Sequence, residues 1–260
     1  MSTPAPLLVW EGHLAVYRKI WKSHVFGAFV QPVLYLLGMG VGVGALVDDD
    51  PASISSLGGV SYLAFLAPAL LATTAMMSGG QTSLWEVADG FLWSNRYRAM
   101  SATPVAPREI ATGLALFHAT RTAIVVGAMT LVLTLFDETR SWGLLAAAPV
   151  AVLTGLAFAM PISAWSSTRR SGASFPSIIR FALIPMFLFG GAFFPIEQLP
   201  GWLQPVAHVT PLYHGIELCR GFVVDGVEPG SVPVHLAVIA AYVAVGTAAC
   251  RATFTRRLRS

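Results

Sequence analysis

Long apolar stretches alternate with shorter polar connections along the whole chain. A transmembrane helix needs about 20 mostly apolar residues to cross a hydrocarbon core about 30 Å thick. Six stretches approach this length, at residues 25–47, 62–80, 110–135, 144–165, 178–194 and 234–252. The pattern therefore predicts an all-α integral membrane protein whose six transmembrane helices form one domain over residues 25–252.

Basic residues are distributed unequally between the two sets of connections. Twelve lie in segments that would share one side of the membrane, whereas the other side has only Arg140 and Arg220 together with nine acidic residues. Because Lys and Arg accumulate in cytoplasmic segments, we expect both termini to be cytoplasmic, including a basic tail over residues 253–260. The positive charge thus follows membrane topology rather than a nucleic-acid-binding surface.

The segment before the first apolar stretch has a helical periodicity of its own. Trp10, Leu14, Tyr17 and Trp21 recur at a spacing of three or four residues, which places them on one face of a helix. We expect residues 1–24 to form an amphipathic helix in the cytoplasmic membrane interface. A simple flanking anchor of the first span is the alternative interpretation.

Two connections are too long for simple turns. Residues 81–109 combine aromatic side chains with arginines before a proline-containing segment, which predicts a short helix across the cytoplasmic face. Residues 195–232 contain prolines at intervals of five or six positions but stay apolar between them. This second connection predicts short re-entrant helices in the outer leaflet, tolerated because protein covers their ends.

The composition excludes several classes of protein. Of the 260 residues, 55% are hydrophobic and 11% are charged, and the mean hydropathy is +0.67. Because a typical soluble domain has about 25% charged residues, a water-soluble enzyme is excluded, and so is a disordered chain. The two cysteines, Cys219 and Cys250, are too few for a disulfide framework or a zinc ribbon.

Candidate chemistry is sparse. The glycine run at residues 38–44 lies inside an apolar stretch, so we interpret the pairs Gly38/Gly42 and Gly40/Gly44 as helix-packing positions rather than a dinucleotide loop. The sequence contains no Walker A phosphate-binding loop and no HExxH or GxSxG motif. We therefore expect no catalytic or metal site and no cofactor bound by this chain.

Four polar residues remain as candidates. His214, Glu217 and Arg220 share one helix face, which predicts an ion pair that anchors the outer connection. Arg121 lies within the third apolar stretch, where a charge costs about 2.5–3.5 kcal/mol on insertion scales. We expect Arg121 to face protein or to reach the membrane surface, and contact with a substrate is its functional alternative.

Several stretches resemble one family of transporters. Residues 190–221, GGAFFPIEQLPGWLQPVAHVTPLYHGIELCRG, are similar to the signature of ABC-2-type exporter permeases, with FFP after the fifth span, LP shortly after it, and PLxH followed by an arginine. Residues 31–44 and 62–77 resemble the first two spans of the NodJ and daunorubicin-resistance branches of this family. The Ala-Thr-Pro sequence at residues 102–104 is similar to a short motif that follows the cytoplasmic helix in these branches.

The resemblance implies a permease subunit that exports an amphipathic substrate across the bacterial inner membrane. The implied substrates are lipid-linked saccharides, glycolipids or hydrophobic drugs. The implied partners are two copies of a cytoplasmic ABC ATPase, which would hold ATP and Mg, and a second permease, identical or homologous. The chain itself would not be an enzyme. A non-transporting sensor or assembly factor is the alternative, and an intramembrane lipid enzyme is a third class.

The family mechanism gives expected roles to three groups of residues. The ATPase-coupling candidates are Trp93, Asn95, Arg96, Tyr97, Arg98 and Met100. The substrate-path candidates, whose flexible Met and flat aromatic side chains adapt to varied apolar ligands, are Phe65, Met76, Met77, Phe187 and Phe193. The structural candidates of the outer connection are Pro195, Pro211, His214, Glu217 and Arg220. The first, second and fifth spans of two protomers would enclose the path.

Overall fold

Every regular element is helical in the part of the chain that the computed structural model describes, residues 4–224 and 230–259. The α-helices are α1 (Ala5–Tyr35), α2 (Gly44–Val47), α3 (Pro51–Ser56), α4 (Tyr62–Ala88), α5 (Arg96–Ser101), α6 (Pro107–Leu133), α7 (Gly143–Ser166), α8 (Phe175–Ile178), α9 (Ile184–Phe189), α10 (Gln204–Val209), α11 (Pro211–Val223) and α12 (Val232–Arg259). Three π-helical stretches continue α1, α4 and α8, at Leu36–Val43, Asp89–Trp93 and Ile179–Leu183. Parts of the predicted N-terminal helix, outer connection and basic tail (residues 1–3, 225–229 and 260) lie outside the described residues.

Four helices are long and apolar enough to cross a membrane. They are Tyr62–Trp93, Pro107–Leu133, Gly143–Ser166 and Val232–Arg259, and each lies where a span is predicted. Two shorter apolar helices, Pro32–Val47 and Phe175–Phe189, lie where the first and fifth spans are predicted. The polytopic helical membrane fold is therefore confirmed at the level of four long and two shorter apolar helices.

The N-terminal helix is not separated from the first apolar stretch. α1 runs from Ala5 to Tyr35 and continues through the π-helix and α2 to Val47, although the sequence analysis places a boundary at residues 24 and 25. That boundary contains no helix-breaking residue, and Pro32 is accommodated inside the helix. The amphipathic segment and the first apolar stretch thus form one continuous helix.

The helix at the second predicted span is longer than expected from the sequence. The sequence analysis assigns residues 81–109 to a connection, but α4 continues to Ala88 and its π-helical extension to Trp93. Residues 81–89 contain neither proline nor glycine, so nothing interrupts the helix there. It ends at Trp93, two residues before Asn95, whose φ of 52° is left-handed, and residues 94–106 alone connect it to α6.

α7 lies at the centre of the bundle and contacts α4, α6, α11 and α12. Glycines allow these backbones to approach closely. A Cβ at Gly79 of α4 would overlap the carbonyl oxygen of Gly155 in α7, and a Cβ at Gly155 would lie 2.8 Å from the carbonyl oxygen of Ala75. Small residues at helix crossings are typical of packing in membranes, where close backbone contact provides much of the attraction.

The glycine run at residues 38–44 packs against α4 on one side of the helix only. A Cβ at Gly40 would lie 2.7 Å from Leu63 Cδ1, and Gly44 is buried beside Tyr62. Gly38 has nothing within 4 Å of its Cβ position, and Gly42 is exposed. The packing interpretation therefore holds for Gly40/Gly44, whereas the other pair lies on the protomer surface.

The two ends of the bundle gather the two sets of connections. At one end, here called the basic end, Arg251 of α12 donates to Thr112 of α6 at 3.2 Å, and the neighbouring Gly113 lies against Pro6 at the start of α1. At the opposite end, the backbone N–H of Tyr62 donates to Asp48 at 2.8 Å, and the Ser61 hydroxyl bonds to Glu138. Segments assigned by charge to the same side of a membrane thus lie together.

Candidate functional site

One carboxylate at the basic end joins three helices. Oε1 of Glu86 in α4 accepts a hydrogen bond from Nδ1 of His13 in α1 at 2.8 Å. The same oxygen forms an ion pair with Nη2 of Arg96 in α5, also at 2.8 Å. Asp89 makes a second, longer contact with Arg96 at 3.6 Å. We call His13, Glu86 and Arg96 the Glu86 junction. Neither His13 nor Glu86 has a role predicted from the sequence.

The Glu86 junction is largely removed from solvent. The exposed fraction is 0% for the His13 side chain, 18% for Arg96 and 23% for Glu86. Burial lowers the pKa of His13 below its ordinary value, and its ring stacks on Phe117 of α6 at a centroid distance of 5.0 Å. Because loss of one partner would leave a mostly buried charge unpaired, the junction holds the three helices together firmly.

Tyr97 fixes α5 against the end of α12. Its side chain is fully buried, with its ring centroid 4.9 Å from that of Phe91 and 5.1 Å from that of Phe254. Burial raises the pKa of Tyr97 well above its ordinary value. Gly90 makes room for this ring, since a Cβ there would overlap it. α5 is therefore attached on its inner side to both α4 and α12.

The structure divides the coupling candidates into two sets. Trp93, Asn95 and Arg98 are exposed at the basic end, whereas Met100 is half-buried against the cluster around Tyr97. The other two candidates, Arg96 and Tyr97, point inward as described above. The exposed set is available to a partner, and the inward set connects α5 to the bundle.

The substrate-path candidates are also divided. Met76 is buried in the main core and Phe65 is buried beneath the guanidinium of Arg220, so neither side chain is available to a passing molecule in this structure. The reason is that α4 is covered on most sides by α6, α7 and α11. Met77 and Phe193 are partly exposed, and Phe187 packs on Phe193 with a centroid distance of 5.1 Å.

An apolar cavity that the sequence analysis missed lies between α7, α12 and the helix Phe175–Phe189. Its volume is about 310 Å³, and its lining includes Phe158, Trp165, Met186 and Tyr242. These residues come from three separate stretches of sequence, so only tertiary packing brings them together. Such a cavity suits an apolar group of modest size.

Arg220 anchors the connection at the opposite end. Its Nη1 lies 3.0 Å from Glu217 Oε1, its Nη2 donates to the carbonyl of Gly191 at 2.9 Å, and its Nε donates to the carbonyl of Phe65 at 3.3 Å. α11 is thereby tied to α4 and to the end of α9. Pro195 precedes the 3-10 helix Ile196–Gln198, and Pro211 is the first residue of α11.

His214 does not join the Glu217–Arg220 pair. Its Nδ1 lies 2.7 Å from Nδ1 of His235 in α12, a hydrogen-bond distance at which one ring donates to the other. Burial and, secondly, the neighbouring ring of His235 lower the pKa of His214. The histidine thus links α11 to α12. Within the described residues, no group of three or more metal-ligating side chains occurs.

Arg121 faces protein rather than lipid. It is 7% exposed, and its guanidinium lies 5.7 Å from the centroid of the Tyr17 ring in α1. Trp10 strengthens the same contact between helices, since its Nε1 donates to Thr120 of α6 at 3.0 Å. Arg121 therefore helps to hold α1 against α6 and is covered from any passing substrate.

Comparison with known proteins matches this chain to a family of membrane transport proteins. The sequence profile of the family described as "ABC-2 type transporter" matches residues 7–223. Nodulation protein J of Rhizobium leguminosarum bv. viciae is 30% identical over 97% of this chain and 94% of the relative, and that of Rhizobium meliloti (strain 1021) is 29% identical over 97% and 93%. Inner membrane transport permease YadH of Escherichia coli (strain K12) is 23% identical over 80% of this chain and 78% of the relative.

Proposed function

This chain belongs to the ABC-2 type transporter family, and we propose that it exports an amphipathic molecule across a bacterial inner membrane, driven by ATP hydrolysis in a separate subunit. Membership as a permease implies an ABC ATPase as partner. We infer two copies of that ATPase and a second permease, identical or homologous. The substrate classes in this proposal are lipid-linked saccharides, glycolipids and hydrophobic drugs.

The Glu86 junction is the observation that carries the mechanism. A partner that pushes on α5 moves the bundle only if α5 is connected rigidly to longer helices. Glu86 provides that connection, because one oxygen holds both Arg96 of α5 and His13 of α1 at 2.8 Å. We infer that the ATPase binds the exposed surface around Arg98 and that its closure displaces α5, α1 and α4 together.

The charge distribution supports an orientation. We propose six membrane crossings with the basic end in the cytoplasm, since the connections that gather there carry twelve of the sixteen Lys and Arg residues. Under this orientation, α5 faces the ATPase, and the short helices α10 and α11 lie toward the outer leaflet.

The apolar cavity supports an amphipathic substrate. We propose that it receives the apolar part of the transported molecule, because Phe158, Met186 and Tyr242 offer aromatic and flexible surfaces. Met77, Phe187 and Phe193 remain candidates for the path beyond it. Phe65 and Met76 do not, since both are buried.

Reconstitution in liposomes tests the coupling. The permease alone is expected neither to hydrolyse ATP nor to concentrate a fluorescent lipid-like substrate, and the ATPase that co-purifies with it should provide both activities. Arg98→Glu should weaken ATPase association and transport several-fold, because it reverses an exposed charge on α5. Arg108→Glu, the same change at an exposed position of α6, is the matched control.

Two results would contradict this proposal. One is uphill transport by the lone permease in a pH or sodium gradient, which would assign it to the secondary carriers. The other is an equal loss of activity in Arg98→Glu and Arg108→Glu, which would remove any special role of α5.

Filling the apolar cavity tests the substrate site separately. Ala182→Phe places a ring in the cavity, so transport of a bulky apolar substrate should fall several-fold while ATPase association is retained. Ala240→Phe adds the same ring at an exposed position of α12 and should transport normally. Unchanged transport by a stably folded Ala182→Phe variant would rule out this cavity as the substrate site.

A further inference from the structure

A second cavity lies at the basic end, and one residue of its rim, Arg98, also belongs to the surface proposed for the ATPase. Its volume is about 840 Å³, and it lies between the end of α4, the start of α5, the segment after α7 and the last turns of α12. Four arginines line it, Arg98, Arg170, Arg256 and Arg257. They come from three separate parts of the chain, namely α5, the segment after α7 and the last turns of α12.

The charged side chains in the described lining of this cavity are all positive. No carboxylate is found among the described residues that line it. Arg98 and Arg170 lie close enough to Arg257 for their charges to repel it. Like charges held this close are unfavourable unless an anion lies between them. The lining therefore favours a negatively charged ligand.

The position of Arg257 is fixed by the protein. Its Nη1 donates to the carbonyl of Arg169 at 2.9 Å and also bonds to the carbonyl of Ser167. Its guanidinium lies 4.2 Å from the centroid of the Phe91 ring. These contacts position one wall of the cavity in advance, so less ordering is needed when a ligand binds.

Aromatic side chains place this cavity at the level of lipid headgroups. Trp85 and Trp93 are exposed and stack at a centroid distance of 6.3 Å, and Arg169 covers the ring of Trp165 at 4.6 Å. Exposed Trp residues at a helix end are typical of the membrane–water interface. Phe91 and Leu92 add an apolar wall beside the arginines. The cavity thus offers positive charge and apolar surface together at this depth.

We propose that this cavity binds the phosphate headgroup of an anionic phospholipid from the leaflet at the basic end. The guanidinium groups pair with the phosphate oxygens, and Phe91 and Leu92 contact the adjoining glycerol and acyl carbons. A soluble anion or an acidic segment of a protein partner would use the arginines but not the apolar wall. The bound lipid would bridge α4, α5 and α12.

Native mass spectrometry of the full-length purified permease tests this site. The wild-type protein should retain phosphatidylglycerol in preference to phosphatidylethanolamine. In the variant Arg170→Gln/Arg256→Gln, the ratio of retained phosphatidylglycerol to retained phosphatidylethanolamine should fall about tenfold or more. The reason is that each basic residue near an anionic lipid typically strengthens binding about fivefold. Arg18→Gln/Arg108→Gln removes the same charge from exposed positions outside the cavity and should bind like the wild type.

The design separates the alternatives. Equal retention of phosphatidylglycerol by the two double variants would overturn the proposal. Displacement of the lipid by millimolar glycerol 3-phosphate would also overturn it, in favour of a soluble phosphate as the ligand. If Arg170→Gln/Arg256→Gln retained the lipid normally but no longer bound the ATPase, the cavity would belong to the protein partner. That result would overturn the proposal as well. Should the double variant unfold, Arg170→Gln alone gives the same comparison, because Arg170 is an exposed residue after α7.

Discussion

Glu86 holds two partners at one carboxylate oxygen, so single substitutions can separate its contacts. Arg96→Gln leaves His13 in place but removes the cation, and we expect it to lower the free energy of unfolding by about 1–2 kcal/mol because Glu86 loses a charged hydrogen bond. In the reconstituted complex, substrate-stimulated ATP hydrolysis should fall several-fold while ATPase association persists. Thermal unfolding and hydrolysis assays measure the two effects.

Controls distinguish positioning from simple loss of charge. Arg98→Gln removes the same charge from an exposed position of α5 and should leave stability unchanged. Arg96→Lys keeps the charge and should restore part of the coupling. If Arg96→Lys behaved like Arg96→Gln in stability yet coupled normally, the Glu86 junction would not transmit motion.

At the scale of elements, the crossing of α4 and α7 depends on the absence of a side chain at Gly79. Gly79→Ala is expected to destabilise the protein by about 1–3 kcal/mol, because the new Cβ would overlap the backbone of Gly155, which cannot rotate away. Gly127→Ala, in α6, has open space around its Cβ position and should be neutral. Melting temperatures of the two purified variants give the comparison, and equal values would contradict the packing described here.

For the whole molecule, accessibility of introduced cysteines tests the orientation. Cys219 and Cys250 are both buried, so their background labelling should be low. Ser56→Cys lies at the opposite end and Thr103→Cys at the basic end, both at exposed positions. A membrane-impermeant maleimide should label Ser56→Cys in intact cells and Thr103→Cys only after permeabilisation. The reverse pattern would invert the proposed topology.

Hydrophobicity and charge predict the outline of this molecule because they are properties of local sequence. Each of the four long helices lies at a predicted apolar stretch, and the basic connections gather at one end. The junction between His13 and Glu86 was not predictable, since the two residues are 73 positions apart and meet only when α1 packs against α4 and α6. The burial of Tyr97 likewise depends on Phe254, from the other end of the chain.

The unbroken course of α1 has a mechanical consequence. From Ala5 to Val47 the helix extends roughly 60 Å, about twice the thickness of a hydrocarbon core. Pro32 lies between the portion that carries His13 and the glycine run, and it lacks one backbone hydrogen bond. A helix bends most easily where such a bond is missing, so Pro32 forms a hinge between these two portions. A push delivered to one face of the membrane would therefore tilt the portion that carries His13 while the glycine run stays packed on α4.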